Sequence, residues 1–193
     1  MIVSTSAYER VKRIVLETDN PTERKIRFLA LLTSSLPKGG ARPVLTGGSA
    51  IEIYLDGVLR TGDMDLVYNV AKMKKILRAW HFELGFSLRS YVNEELGLAL
   101  DLVGEKLSGS YDKLTTIITD YGPVTVIGVE DLVLKRLAYA KFWKVANDME
   151  QAYLLAKSQE DKIDWEYLER EAKGEDIADY LERLRDSLKR GDD

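Results

Sequence analysis

The chain has 193 residues, of which 45% are apolar, enough for one domain with an appendage or for two small domains. Its 28 basic and 32 acidic side chains give a net charge of -4, which disfavours binding to nucleic acid or anionic membranes through overall charge. The absence of cysteine excludes disulfides and thiolate chemistry, and a single histidine, His81, disfavours zinc sites and a Ser-His relay.

Neither a membrane span nor a secretion signal is predicted. The longest run without a charged residue is 28–37, ten positions, which is well short of the ~18 that suggest a span. The first residues, 1–7, lack a basic patch leading into an apolar stretch. We therefore expect a cytoplasmic protein with no membrane partner.

The first part of the chain predicts two helices, a short strand, a tight turn and a third helix, over 8–16, 23–36, 43–46, 47–48 and 49–55. The middle part predicts a strand, a helix, two strands and a hairpin, over 63–68, 70–84, 86–91, 96–103 and 115–127.

After Gly128 the sequence predicts helices alone, over 130–142, 145–157, 165–173 and 176–189. The predicted class is therefore α+β. A mixed-sheet core with two leading helices occupies 1–128, and a helical subdomain occupies 129–193.

The strand predicted over 63–68 carries two acidic residues, Asp63 and Asp65. Side chains alternate along a strand, so both carboxylates lie on one face while Met64 and Leu66 lie on the other. The backbone positions of residues i and i+2 lie roughly 6 to 7 Å apart on a strand, so the two carboxylates can converge on one hard cation. The spacing predicts a metal site.

A third acidic residue, Asp101, is the only polar side chain in the apolar strand Leu98–Val103. A carboxylate buried there needs a cationic partner, because unpaired burial costs several kcal/mol. If this strand lies beside that of Asp63 and Asp65, three carboxylates cluster and favour one or two Mg²⁺ or Mn²⁺ ions. Two such ions can support an in-line phosphoryl or nucleotidyl displacement.

A glycine-rich turn, Gly47-Gly48-Ser49, lies between a predicted strand and a predicted helix. A helix N-terminus offers backbone N–H groups and a positive potential to phosphate oxygens, and glycines allow close approach. Ser49 and Glu52 also fit a capping box, which explains both residues structurally. Ser49 is thus a candidate helix cap and a candidate phosphate ligand.

Together, Gly47-Gly48-Ser49-Ala50, Arg60-Thr61-Gly62-Asp63-Met64-Asp65-Leu66 and Leu100-Asp101-Leu102 resemble the signature of the DNA polymerase beta-like nucleotidyltransferase superfamily. The Gly-Gly-Ser-Ala turn joined to Arg-Thr-x-Asp-x-Asp is most similar to the abortive-infection toxin type and its uncharacterised prokaryotic relatives. The resemblance covers residues 43–155.

The resemblance implies an enzyme that moves a nucleoside monophosphate from a triphosphate such as ATP to a hydroxyl and releases pyrophosphate. It assigns the metals to Asp63 and Asp65, with Asp101 completing the metal site and helping to deprotonate the acceptor, and it assigns the β and γ phosphates to the turn 47–49. The acceptor is an RNA 3' end or a protein side chain, and a toxin with a cognate antitoxin is one form of this interpretation. The alternative is a catalytically silent fold that binds nucleotide or a partner protein.

Outside the acidic cluster, two cations are candidate nucleotide ligands. Arg60 either reaches a phosphate or pairs with a neighbouring carboxylate. Lys135 matches a helical lysine of the family, and it is equally a lysine that extends its ammonium from a partly apolar face to solvent. The spacing of Lys144 and Asp148 predicts a surface ion pair on one helix, unless the pair faces the cleft.

Overall fold

The computed structural model describes residues 5–191, and these form two compact units. The first unit comprises 5–108 and 114–126, and the second comprises 109–113 and 127–191. The sequence predicted a division after residue 128, whereas in the structure a short segment of the preceding chain belongs to the helical unit. No helix among the described residues is long and apolar enough to span a membrane.

Two helices, α1 (Thr5–Leu16) and α2 (Pro21–Ser34), begin the first unit and pack against each other. The side chain of Asn20 caps α2 by accepting a hydrogen bond from the backbone N–H of Glu23 at 3.0 Å. Pro21 follows at the first helical position, where its missing N–H leaves no bond unmade. Both predicted helices are present, and α2 lies two residues earlier than predicted.

A mixed sheet forms the centre of the first unit. In the described chain it has seven strands: β1 (Val44–Thr46), β2 (Asp63–Val67), β3 (Glu83–Leu84), β4 (Ser90–Asn93), β5 (Leu98–Gly104), β6 (Thr115–Thr119) and β7 (Gly122–Val126). Their order across the sheet is β3-β4-β5-β2-β1-β7-β6. The pairs β2–β5 and β1–β7 are parallel, and the others are antiparallel.

The connections place β2 in the middle of the sheet. Helix α3 (Gly47–Tyr54) follows β1 directly, and α4 (Val70–Ala79) follows β2. The hairpin predicted near the end of this unit is formed by β6 and β7. The predicted α+β class with a mixed sheet is confirmed.

Helix α4 is shorter than the predicted range 70–84. Trp80 and Phe82 are both buried, and their ring centroids lie 5.9 and 5.5 Å from that of Phe28. Side chains two positions apart lie on different sides of a helix, so a continued helix could not bury both rings on one neighbour. The chain instead leaves the helix through a left-handed conformation at His81, with φ of 57°.

The strand predicted over 86–91 was wrong in its first half. Gly85 donates its backbone N–H to the carbonyl oxygen of Ser90 at 2.9 Å, which closes a loop between β3 and β4. Phe86 and Leu88 lie in this loop and are exposed. Their alternating pattern resembles a strand, but no neighbouring strand in the described chain pairs with them.

The second unit contains helices α5 (Val129–Phe142), α6 (Ala146–Ser158), α7 (Trp165–Gly174) and α8 (Ala178–Arg190), and a short 3-10 helix over Tyr111–Lys113. Each of the last three helices packs against α5. The four predicted helices are confirmed, with ends that differ by no more than two residues. The helical prediction succeeded because long amphipathic periods are strong signals.

The predicted ion pair between Lys144 and Asp148 is wrong. Lys144 lies before α6 with φ of 52°, so the two residues do not occupy successive turns of one helix. Asp148 is buried and accepts a hydrogen bond from Nη1 of Arg136 at 2.8 Å. This ion pair joins α6 to α5 instead.

A buried carboxylate, Asp131, connects the segment 109–113 to α5 and α7. The backbone N–H of Ser110 donates to its Oδ2 at 2.8 Å, and the hydroxyl of Tyr167 donates to its Oδ1 at 2.6 Å. Burial raises the pKa of Asp131, and these two hydrogen bonds oppose the rise. The carboxylate is therefore held by specific donors inside the second unit.

We expect Tyr167→Phe to lower the free energy of unfolding by about 1 to 3 kcal/mol, because the change leaves a buried oxygen of Asp131 without its donor. Urea denaturation measures the change. Tyr153→Phe is the matched control: the Tyr153 hydroxyl is buried and has no hydrogen-bond partner among the described residues, so its removal costs little. Equal losses in the two variants would contradict the assigned role of Tyr167.

Candidate metal centre

Strand β2 places Asp63 and Asp65 on the same face of the sheet. Met64 and Leu66, which alternate with them, are fully buried on the other face. Asp63 is exposed and Asp65 is half-buried. The predicted alternation along this strand is confirmed, and it leaves both carboxylates on an accessible surface.

Asp101 lies on β5, directly beside Asp65 in the parallel pairing of β2 and β5. Paired residues of neighbouring strands project to the same face, so Asp101 joins the two carboxylates of β2. It is half-buried rather than fully buried, because Leu100 and Leu102 point into the core and its own face is more open. The assignment of Asp101 as a metal ligand therefore depends less on its burial than the sequence suggested, and more on its position beside Asp65.

The three carboxylates converge: one oxygen of each of Asp63, Asp65 and Asp101 lies within 4.8 Å of the corresponding oxygens of the other two. Like charges this close repel one another, and a divalent cation between them converts the repulsion into attraction. All three ligands are carboxylate oxygens, which suit hard cations such as Mg²⁺ and Mn²⁺. This acidic cluster can hold a metal ion.

Helix α3 begins beside the cluster. Its first residue, Gly47, has φ of 66°, and a Cβ atom built on it would lie 1.8 Å from Oδ2 of Asp65. A Cβ on Gly48 would lie 2.5 Å from Cγ2 of Thr61. Neither position has room for a Cβ atom, because side chains of β2 and of the segment before it approach both glycines closely. Gly47 also needs to be glycine because of its backbone conformation.

The helix start differs from the prediction in one respect. The sequence predicted the turn over 47–48 and the helix from Ser49, whereas α3 starts at Gly47 with Thr46 as its N-cap. The Thr46 side chain makes no hydrogen bond to the first N–H groups of α3. These groups lie next to Asp65, where a phosphate bound to the helix N-terminus would meet the acidic cluster.

The capping-box interpretation of Ser49 and Glu52 is wrong. Ser49 is inside α3 and only 1% exposed. Its hydroxyl donates to the carbonyl oxygen of Asp63, lies 2.8 Å from the Thr61 hydroxyl, and accepts from Nζ of Lys25 at 3.1 Å. These contacts leave the Ser49 hydroxyl engaged with protein groups, which disfavours its direct binding of phosphate. Ser49 instead stabilises the backbone that carries Asp63.

Glu52 forms a buried ion pair with Lys25 of α2, with Nζ 2.7 Å from Oε2. Burial acts to raise the pKa of Glu52, but hydrogen bonds from Lys25, Thr22 and the Thr61 backbone outweigh it and lower the pKa. Glu52 therefore remains ionised at neutral pH. Sequence reasoning missed Lys25, whose one visible signal was a lysine among the apolar positions of an amphipathic helix.

Two further residues, Arg60 and Lys135, were predicted as nucleotide ligands. Arg60 is exposed and lies three positions before Asp63, the first residue of β2. Lys135 belongs to α5 of the second unit, where its Nζ lies 5.9 Å from the centroid of the Tyr139 ring. This contact fits a lysine that covers an apolar surface, and a nucleotide-binding role for Lys135 stays a prediction.

Comparisons of the chain with protein-family models, curated proteins and solved structures gave no match. The function of the acidic cluster is therefore inferred from its residues and their geometry.

Proposed function

We propose that the chain is a metal-dependent nucleotidyltransferase, which transfers a nucleoside monophosphate from a triphosphate to a hydroxyl acceptor and releases pyrophosphate. The observation that carries the proposal is the convergence of Asp63, Asp65 and Asp101 beside the first turn of α3. An acidic cluster alone is compatible with many metal sites. A cluster next to a glycine-rich helix N-terminus also offers a place for phosphates.

The chain's own residues have distinct roles in this reaction. Asp63 and Asp65 would hold the divalent ions, with Asp101 completing the set of ligands, and the backbone N–H groups of Gly47 and Gly48 would bind the β and γ phosphates. Asp101 accepts the proton of the acceptor hydroxyl as its oxygen bonds to the α-phosphorus and the bond to pyrophosphate breaks. Bound Mg²⁺ or Mn²⁺ supplies neutralisation of phosphate charge and activation of the attacking oxygen.

The resemblance of the turn and the Asp-x-Asp strand to nucleotidyltransferases of the abortive-infection toxin type supports the same reaction class. It extends the proposal to an RNA 3' end or a protein side chain as acceptor, and to a toxin that an antitoxin controls. A net charge of -4 favours a short contact with the acceptor over a long nucleic-acid footprint.

The test is incubation of the purified chain with each α-labelled nucleoside triphosphate, Mg²⁺ or Mn²⁺, and either total RNA or a cell lysate. We expect label in one acceptor pool with the wild-type chain and none with Asp63→Ala. The labelled pool identifies the acceptor class. No label with any donor, together with no metal-dependent nucleotide binding, contradicts the proposal; nucleotide binding without transfer indicates the catalytically silent alternative.

A further inference from the structure

The ion pair of Lys25 and Glu52 joins α2 to α3 and is almost fully buried, at 6% and 1% exposure. The Lys25 ammonium is within hydrogen-bond distance of the Glu52 carboxylate at 2.7 Å, the Thr61 carbonyl oxygen at 2.7 Å, the Ser49 hydroxyl at 3.1 Å and the Thr61 hydroxyl at 3.2 Å. An ammonium has three N–H donors, so these oxygens satisfy it completely.

Glu52 holds the same segment from its other side. Its Oε2 accepts the backbone N–H of Thr61 at 3.0 Å and the Thr61 hydroxyl at 3.1 Å. Its Oε1 accepts the hydroxyl of Thr22 at 2.7 Å, which ties the carboxylate to α2. The backbone of Thr61 is thus bound at both its N–H and its carbonyl group by one buried ion pair.

These contacts act at the start of β2, where Asp63 pairs with β5 on one side and has no strand partner in the described chain on the other. The pairing of β1 with β2 ends at Thr46 opposite Asp65, so β1 does not reach Asp63. The Ser49 hydroxyl, which donates to the carbonyl oxygen of Asp63, takes the place of the missing strand on that side. Gly62, the residue between the two anchored positions, has no side chain to fix the backbone itself.

We propose that Lys25 and Glu52 are positioning residues of the metal centre: through Thr61 and Ser49 they fix the backbone that carries the Asp63 carboxylate. The inference rests on the metal binding of the proposed function. Outer groups that orient metal ligands contribute about 10- to 100-fold to metal affinity, although they touch no metal. A buried ion pair adds little net stability over apolar residues of similar volume, so its effect here is on geometry.

The test replaces both charges at once, because either single change leaves an unpaired buried charge. In the variant Lys25→Met/Glu52→Leu, we expect the dissociation constant of Mn²⁺, measured from the free-ion signal in electron paramagnetic resonance, to rise about 10- to 100-fold. Thermal unfolding without metal is expected to stay cooperative, with a lowered melting temperature because the Thr22 hydroxyl and the Thr61 backbone lose their partners.

The matched control is Arg136→Met/Asp148→Leu, which removes an ion pair of the second unit between a half-buried arginine and a buried aspartate. This variant is expected to bind Mn²⁺ with wild-type affinity. Wild-type affinity in the Lys25/Glu52 variant, or equal weakening in both double variants, overturns the inference. A wild-type chain that binds no Mn²⁺ contradicts the proposed function itself, and the inference falls with it.

Ser49→Ala decides the question if the Lys25/Glu52 variant does not fold. Alanine is the best helix former, and the change removes one hydroxyl from inside α3, so this variant keeps its fold. Loss of the hydrogen bond to the Asp63 carbonyl is expected to weaken Mn²⁺ binding about two- to tenfold. A folded Ser49→Ala variant with unchanged Mn²⁺ affinity overturns the inference.

Discussion

Asp65→Asn is expected to abolish metal binding and nucleotidyl transfer while it leaves the fold intact. Asp65 is the central residue of the cluster, since it shares β2 with Asp63 and lies beside Asp101 of β5. A neutral amide is a poor ligand for Mg²⁺. Loss of the several kcal/mol that a bound ion contributes to the transition state lowers the transfer rate by about a thousandfold or more.

The same substitution relieves repulsion among three carboxylates, whose ligand oxygens lie within 4.8 Å of one another. Relief of this repulsion offsets stability that the substitution costs elsewhere, so without metal we expect the melting temperature of Asp65→Asn to stay close to that of the wild-type chain. Added Mn²⁺ is expected to raise the melting temperature of the wild-type chain by binding the folded state, and to leave that of the variant unchanged. Thermal unfolding with and without Mn²⁺, together with the transfer assay, measures both effects.

Asp56→Asn is the control for the lost charge. Asp56 is an exposed residue of the same unit with φ of 49°, a conformation that asparagine adopts readily. It removes one carboxylate outside the cluster and is expected to retain the Mn²⁺ response and the transfer activity. Retention of both by Asp65→Asn as well would show that the cluster is not the metal site.

The acidic cluster could be predicted because it depends on the alternation of side chains along a strand and on the pairing of two strands. Alternation along a strand determines that Asp63 and Asp65 share a face. An apolar strand interrupted by one carboxylate identifies Asp101, and only the pairing of β2 with β5 had to be assumed. The extent of the four helices after Gly128 followed from periodicity in the same way.

The support behind the cluster could not be predicted, because it depends on tertiary contacts. The spacing of Ser49 and Glu52 fits a capping box, and nothing local indicates that both side chains instead turn towards Lys25, more than twenty positions earlier. The early end of α4 has the same origin, since burial of Trp80 and Phe82 on a third ring outweighs helix propensity. Local patterns do not specify the partner of a buried side chain.

Gly47→Ala is expected to impair the metal centre almost as severely as removal of a ligand. A Cβ at this position would lie 1.8 Å from Oδ2 and 2.8 Å from Cγ of Asp65, so the carboxylate must move. A φ of 66° costs alanine about 1 to 2 kcal/mol more than glycine. A displacement of about 1 Å in a catalytic site lowers the rate about a hundredfold, and we expect at least this loss in the transfer assay.

Two other glycines near β2 make a graded series with Gly47. A Cβ placed on Gly62 would have no atom within 4 Å, and its φ is not positive, so Gly62→Ala is expected to keep Mn²⁺ affinity and to gain about 0.4 to 1 kcal/mol of stability. In Gly48→Ala, the added Cβ would lie 2.5 Å from Cγ2 of Thr61. The Thr61 side chain can rotate away only if its hydroxyl gives up its contacts with Ser49 and Glu52. Mn²⁺ affinity should therefore fall in the order Gly62→Ala, Gly48→Ala, Gly47→Ala. Equal affinities in the three variants would contradict the assignment of the cluster and the start of α3 to one site.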